Sequence, residues 1–288
     1  MGSSPSALKA IFLASRPKTW IAGISPVAIG SALAYRDGVC SNYLVTCSLL
    51  FSLLIQIGTN FANDYFDFMN GADTPKRIGP KRAVASGWLR PQMMRNSALI
   101  FFAAAFFVSL PLVFTAGIWS LIFVLSSIAF GILYTGGPRP LGYMGLGELL
   151  VLIYFGPVAV CGTYFVQHHT ITLQTLCGSL VPGLLSTTIL VANNLRDEET
   201  DRSAGKNTLV VRFGKAFGRA EYTGLILLAS IAAIPFGTLF PLFILLAAVP
   251  LVWTVYSYKN PIEIVPLLPR TALLLILFTL LFCFESVL

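Results

Sequence analysis

Two short stretches of carboxylate and amide side chains hold most of the polar chemistry in an otherwise apolar sequence. The first, residues 60–73, reads NFANDYFDFMNGAD and follows a long run without charge. If the helix before it continues, Asn60, Asn63 or Asp64, and Asp67 recur at spacings of i, i+3 or i+4, and i+7, so they share one helix face. A face of this kind offers oxygen atoms to a cation or to hydrogen-bond donors.

The second stretch, NNLRDEETD at residues 193–201, repeats this pattern. Asn194, Asp197 and Asp201 are spaced i, i+3 and i+7, again after a long apolar segment. Both stretches end helices, where the helix dipole is negative and disfavours carboxylates. A positive partner is therefore needed, either neighbouring Arg and Lys side chains in ion pairs or a divalent metal. We expect Mg²⁺, since carboxylates together with waters and phosphate oxygens are its usual ligands.

Basic residues follow both stretches, which indicates that the ligand of such a metal is itself anionic. A diphosphate fits, because Mg²⁺ would join it to the carboxylates and would assist its departure by stabilising charge. The sequence contains no GxxxxGK[ST] loop, so a nucleotide bound by that loop is disfavoured. The apolar segments behind the two stretches favour a lipid diphosphate whose isoprenoid tail lies among the helices.

The apolar segments are long enough to span a membrane. Of the 288 residues, 56% are hydrophobic and 11% are charged, whereas a soluble protein carries roughly 25% charged residues. A spanning helix needs about 20 apolar residues, and short turns near 116–117, 167–172 and 237–240 divide the longest runs. The pattern predicts an all-α membrane protein with nine transmembrane helices at about 20–36, 43–64, 97–115, 118–134, 146–166, 173–195, 220–237, 240–258 and 269–287.

The placement of Lys and Arg predicts the orientation of these spans. With a cytoplasmic N-terminus, every basic residue except Arg36 falls on the cytoplasmic side, as the positive-inside rule requires. The C-terminus then lies outside. The net charge of +7 follows from this bias, so it is no evidence for nucleic-acid binding. We expect one membrane domain, residues 1–288, with cytoplasmic cap loops at about 65–96 and 196–219.

Four motifs in order resemble the UbiA superfamily of intramembrane prenyltransferases. The acidic stretches, with the basic sequences RIGPKRAVASG and RSAGKNTLVVRFG after them, look like its two aspartate-rich motifs. RPKTW (16–20) and LYTGGPRPLGYMGLGE (133–148) are similar to the branch that prenylates 1,4-dihydroxy-2-naphthoate in menaquinone and phylloquinone synthesis. The resemblance implies a fold of nine transmembrane helices around a central cavity, capped by cytoplasmic loops.

The resemblance also implies a set of site residues. The ligands of the Mg²⁺–diphosphate would be Asn63, Asp64, Asp67, Asn194, Asp197 and Asp201. The catalytic candidates are Asp67, Tyr134 and Lys206. The candidates for binding the diphosphate or the acceptor are Lys18, Asn60, Arg77, Arg82, Glu148 and Arg196. Asp73 is either a further metal ligand or a loop anchor.

Simpler explanations exist for several of these residues. Positive-inside topology alone would account for Lys18, Arg77, Arg82 and Lys206. An interfacial aromatic belt would account for Tyr134. The helix dipole alone would favour Glu148, which opens a predicted helix.

The reaction implied by the resemblance is electrophilic aromatic substitution. Diphosphate leaves the prenyl chain, the ring carbon that bears the carboxylate attacks the allylic cation, and loss of CO₂ restores aromaticity. The alternative acceptors are 4-hydroxybenzoate and homogentisate. A transporter would need acids along a membrane path, and a non-catalytic prenyl-lipid binder would need degraded acidic motifs. The implied partners are a polyprenyl diphosphate, 1,4-dihydroxy-2-naphthoate and the lipid bilayer, with a bacterial inner membrane as the expected location.

Overall fold

The computed structural model describes residues 5–73 and 78–286, and every regular element within these ranges is helical. The main helices are α1 Ala7–Ala14, α2 Trp20–Arg36, α3 Asn42–Met69, α4 Pro91–Leu133, α5 Gly147–Ile153, α6 Ala159–His168, α7 Leu173–Ser203, α8 Leu209–Ala232, α9 Leu239–Ser257 and α10 Leu267–Glu285. A π-helical turn, Tyr154–Val158, joins α5 to α6. The all-α prediction is confirmed for the described residues.

Seven helical segments of the described chain are long and apolar enough to cross a membrane. They are α3, α4, the α5–α6 unit, α7, α8 with the turn after it, α9, and α10 with the turn before it. The 43 residues of α4 are interrupted at Gly117, where φ is 67° and ψ is −148°. Glycine adopts this backbone without a Cβ clash, and the break lies where the sequence predicts a turn.

Helix α7 forms the centre of the bundle. In its most apolar window 72% of the residues are buried, against 28–44% in the other six segments. It packs against α2, α5, α8 and α10. Its buried residues include Gly178, Ser179, Gly183 and Ser186, and small residues of this kind allow helix backbones in a membrane to approach closely. The apolar part of α7 is therefore enclosed by neighbouring helices.

Close contacts at glycines predict where added volume destabilises the bundle. A Cβ on Gly30 of α2 would lie 2.6 Å from the carbonyl oxygen of Val160 in α6. Gly30→Ala is expected to cost about 1–3 kcal/mol of unfolding free energy, because one of the two helices must shift. Thermal unfolding in detergent measures this loss. Gly224→Ala is the control, since nothing lies within 4 Å of its added Cβ, and equal melting temperatures for the two variants would contradict the prediction.

The connections that follow the acidic stretches are shorter than predicted. Helix α3 continues to Met69 and α4 begins at Pro91, while α7 continues to Ser203 and α8 begins at Leu209. The predicted cap loops at 65–96 and 196–219 therefore include several helical turns. The reason is that charge marks the end of an apolar span, whereas the helix itself continues as far as its buried face.

Candidate active site

The carboxyl-terminal turns of α3 and α7 each bury a row of polar side chains. The buried members are Asn60, Asp64 and Asp67 on α3, and Asn194, Asp197 and Asp201 on α7. Both rows have the predicted spacing. Buried carboxylates require charged or hydrogen-bonding partners, and these partners define the candidate site.

Asp64 holds the segment that follows the first acidic stretch. Its Oδ2 accepts a hydrogen bond from the backbone amide of Ala83 at 2.9 Å, and its Oδ1 accepts one from that of Val84 at 3.0 Å. Ala83 and Val84 are buried in an apolar cluster with Phe61 of α3 and Ala10 of α1. Two charge-assisted hydrogen bonds therefore close this segment onto the end of α3.

Asp67 joins three other parts of the chain. Its Oδ2 pairs with Arg82 Nη2 at 2.7 Å, and its Oδ1 accepts from the Tyr143 hydroxyl at 2.7 Å and from Lys206 Nζ at 3.0 Å. Asp73 lies beside the same arginine, with 3.4 Å between Asp73 Oδ1 and Arg82 Nε. The two cap segments thus meet at Asp67, since Arg82 belongs to the first and Lys206 to the second.

On α7, Arg196 pairs with the residue that follows it. Its Nε and Nη2 lie 2.7 Å and 2.6 Å from the two carboxylate oxygens of Asp197. Arg196 Nη2 also donates to Asn193 Oδ1 at 2.7 Å. The resemblance assigned Arg196 to substrate, and in this structure the side chain is buried and neutralises Asp197.

Glu148 is buried at the first turn of α5 and contacts the second acidic row. Its Oε1 accepts a hydrogen bond from Asn194 Nδ2 at 2.7 Å. The glutamate oxygen accepts from the amide nitrogen, so this contact fixes the orientation of the Asn194 amide and leaves the amide oxygen free to bind elsewhere. Asn63 on α3 is held in a similar way, since its Oδ1 accepts from the Thr135 hydroxyl at 2.8 Å.

Glu148→Ala is expected to lower turnover about 10- to 100-fold, because Asn194 loses the acceptor that orients it. Glu148→Gln keeps an acceptor oxygen and is expected to lose less. Initial rates in membranes, corrected for the amount of protein, measure both variants. Glu263→Gln serves as control, since this side chain is exposed in the connection before α10. Equal losses for the alanine and glutamine variants would show that orienting Asn194 is not the role of Glu148.

An apolar cavity of about 270 Å³ begins beside the α3 row. Its polar end includes Asn60, Asn63 and Tyr134, and aromatic side chains such as Phe123, Phe130 and Phe155 line the remainder. The hydroxyl of Tyr134 lies within electrostatic range of Asp67, Asp201 and Glu148. The α3 row therefore adjoins the cavity through Asn60 and Asn63, and one carboxylate of the α7 row, Asp201, acts electrostatically on Tyr134 at the same end.

Three further predicted site residues, Asn60, Lys18 and Arg77, have different positions in the chain: one is buried, one is exposed and one is outside the described residues. Asn60 is buried, and its Nδ2 donates to the Ser15 carbonyl at 2.9 Å and to the Thr19 hydroxyl at 3.1 Å, so it anchors the turn before α2. Lys18 is exposed, and among the described residues it forms no ion pair with either row. Arg77 lies outside the described residues.

Three residues near the rows were missed by sequence reasoning. Tyr143 and Thr135 contact Asp67 and Asn63 from a segment far along the chain. Arg16 has a left-handed backbone, with φ of 52°, and its charge acts on Asp64 and Tyr134. The sequence signal for Arg16 was its place in RPKTW, whereas no spacing rule relates Tyr143 or Thr135 to the acidic rows.

One carboxylate in each row is paired with basic side chains in this structure. Asp67 pairs with Arg82 and Lys206, and Asp197 pairs with Arg196. Across residues 5–73 and 78–286, no group of three or more His, Cys, Asp or Glu side chains is placed to hold a metal ion. Ion pairs with basic side chains are thus present in both rows, at Asp67 and at Asp197.

Comparison with known proteins places these features in a family. The model of the UbiA prenyltransferase family matches residues 23–264. A 1,4-dihydroxy-2-naphthoate octaprenyltransferase of Escherichia coli (strain K12) is 36% identical over 282 residues, covering 93% of this chain and 91% of that protein. A protein of the same name from Haemophilus influenzae is 34% identical over 292 residues, covering 96% and 94%.

The fold has solved counterparts as well. The structure of a UbiA homologue from Archaeoglobus fulgidus bound to DMAPP and Mg²⁺ superimposes with a TM-score of 0.69, at 14% identity, over 98% of this chain and 99% of that one. At this identity the likeness concerns the fold alone. The membership of this family that the motifs predicted is confirmed by the family model and by the relatives. The chain belongs to the UbiA prenyltransferase family.

Proposed function

We propose that this protein transfers a prenyl chain from a polyprenyl diphosphate to 1,4-dihydroxy-2-naphthoate, with loss of CO₂ and diphosphate, in menaquinone synthesis. Relatives with the corresponding name cover more than nine-tenths of this chain. The observation that carries the proposal is a buried row of polar side chains on α3, paired with Arg82 and Lys206, at the polar end of an apolar cavity. Asp201 of the second row acts electrostatically on Tyr134, which lines the same end. This arrangement suits a ligand with an anionic head and a hydrocarbon tail.

Mg²⁺ is the metal that the residues fit. The six predicted ligands, Asn63, Asp64, Asp67, Asn194, Asp197 and Asp201, supply carboxylate and amide oxygens, and no thiol or imidazole is among them. Magnesium is usually held by one or two carboxylates with waters and substrate phosphates, without a complete protein cage. Such a site is compatible with the sparse acidic grouping and with the basic side chains around it.

A diphosphate would also satisfy an unmet donor in the site. Arg82 is buried, and its Nη1 has no hydrogen-bond partner among the described residues. A buried donor of this kind costs free energy until it is paired. Arg82 and Lys206 hold Asp67 here, and both are suited to bind phosphate oxygens when a cation takes their place at the carboxylate.

Each group of residues would have a separate role in the reaction. Bound Mg²⁺ would supply Lewis-acid stabilisation of the departing diphosphate. Arg82 and Lys206 would hold the diphosphate as the bond from prenyl carbon to oxygen breaks. The cavity would keep the allylic chain away from water, and Tyr134 would lie beside the reacting carbon. The acceptor ring carbon then forms the new carbon–carbon bond, and its carboxyl group leaves as CO₂ with the ring electrons restored.

The topology proposed for this function has nine crossings. It counts α2 as a crossing and divides α4 into two at Gly117, in addition to the other apolar segments of the described chain. The N-terminus would be cytoplasmic and the C-terminus outside, which puts both acidic rows and the cap segments at the cytoplasmic surface. A bacterial inner membrane is the proposed location.

A transfer assay in membranes, with each acceptor supplied separately, tests the function. Membranes containing the protein are given Mg²⁺, a prenyl diphosphate and either 1,4-dihydroxy-2-naphthoate, 4-hydroxybenzoate or homogentisate. We expect transfer to dihydroxynaphthoate with release of one CO₂ for each prenyl chain. Preferred transfer to 4-hydroxybenzoate or homogentisate would overturn the acceptor, and no transfer to any of the three would overturn the function.

A further inference from the structure

We propose that Tyr143 is a positioning residue of the prenyl-transfer site, which locks the end of α3 to the segment that carries Lys206. The proposal rests on the proposed function and concerns a residue outside the predicted set. Tyr143 lies in the 3₁₀ turn Leu141–Met144, between α4 and α5. This turn is far from both acidic rows in sequence.

The side chain of Tyr143 contacts both groups that it would position. Its hydroxyl donates to Asp67 Oδ1 at 2.7 Å. This carboxylate oxygen, Asp67 Oδ1, also lies 3.0 Å from Lys206 Nζ. The Lys206 ammonium also lies over the phenol ring, 4.7 Å from the ring centroid, where the ring face attracts a cation. One aromatic residue therefore fixes both members of the Asp67–Lys206 pair.

The backbone of the same turn is fastened to the second cap segment. The Tyr143 carbonyl accepts from the Asn207 amide at 2.9 Å, and the Met144 carbonyl accepts from Arg212 Nη2 at 2.7 Å. Gly145 follows with φ of 77°, and an added Cβ would lie 2.9 Å from the Asn207 carbonyl oxygen. The turn and the segment 206–212 therefore behave as one unit that presents Tyr143 and Lys206 together.

Tyr143 differs from the other partners of Asp67 in charge. A phenol is neutral near pH 7, because its ordinary pKa is about 10, so Tyr143 donates its hydrogen to Asp67. Arg82 and Lys206 neutralise Asp67, whereas a neutral hydroxyl orients the carboxylate and leaves its negative charge for a cation. A carboxylate oriented in this way remains a good metal ligand, because hydrogen bonds to a metal-binding side chain generally hold it in the orientation that the metal needs.

The test is Tyr143→Phe, which removes the hydroxyl and keeps the ring and the backbone contacts. We expect a rise of about 10- to 100-fold in the Mg²⁺ concentration that gives half-maximal rate. The KM for the prenyl diphosphate should rise, while the KM for the aromatic acceptor stays unchanged. Calorimetric binding of an unreactive prenyl thiolodiphosphate in the presence of Mg²⁺ should weaken by a similar factor. Tyr35→Phe is the control, since Tyr35 is 53% exposed and lies at the carboxyl-terminal end of α2.

A double-mutant cycle separates positioning from general stability. If Tyr143 acts through the Asp67–Lys206 pair, its effect in a Lys206→Ala background should be clearly smaller than in the native chain. The cycle is run at a temperature at which every variant is folded by thermal melting. Strictly additive effects, or native analogue binding and native Mg²⁺ dependence in Tyr143→Phe, would overturn the proposal. Wild-type protein that binds the analogue but transfers the reactive prenyl diphosphate to none of the three acceptors would instead refute the proposed function.

Discussion

Asp197→Ala is expected to lower prenyl transfer by about 100-fold or more, while the protein still inserts into membranes. The residue is buried on α7, in the same row as Asp201, whose charge acts on Tyr134. Removing its carboxylate would remove a proposed metal ligand and leave the buried Arg196 without its bidentate partner. Turnover in membranes, with the membrane-bound amount of each variant, is the measurement.

Two further variants identify the cause of this loss. Asp197→Asn keeps the size of the side chain and one acceptor oxygen for Arg196, but it lacks the negative charge. We expect it to be nearly as inactive as the alanine variant, because Mg²⁺ prefers a carboxylate. Glu199→Gln, on the same helix end but with a side chain that is 76% exposed, should retain normal turnover. Normal turnover in Asp197→Asn would show that this residue is not a metal ligand.

Asp64→Ala is expected to have an effect of similar size, about 100-fold or more, for two separable reasons. The variant would lose a proposed metal ligand, and it would also release the amides of Ala83 and Val84. Arg82 precedes these two residues, so its contact with Asp67 should loosen as well. Turnover and hydrogen exchange of residues 78–89 measure the two consequences.

The matched variant at this position is Asp64→Asn, whose single acceptor oxygen can still bind one of the two amides. We expect it to recover part of the exchange protection at Ala83 and Val84 without recovering turnover. If turnover returns together with the protection, Asp64 is only an anchor of the cap segment. If the alanine variant keeps native turnover, Asp64 is not a metal ligand, and native exchange at Ala83 and Val84 would exclude the anchoring role.

The sequence alone determined which segments are helical and apolar. A backbone in a lipid bilayer must satisfy its own hydrogen bonds, so a long run of apolar residues can only be helical there. The bounds of α2 and α9 and the break at Gly117 agree with the predicted spans and turn for that reason. The buried polar face of each acidic row was also predictable, since positions i, i+3 and i+7 lie on one side of any helix.

The tertiary structure alone decided which side chains meet these rows. Lys206 reaches Asp67 across 139 residues, Tyr143 reaches it across 76, and Glu148 reaches Asn194 across 46. Such contacts depend on how α3, α5 and α7 pack and on how the turns between helices fold back. Periodicity within one segment carries no information about them, because it describes the faces of a helix and not the neighbours against which each face is buried.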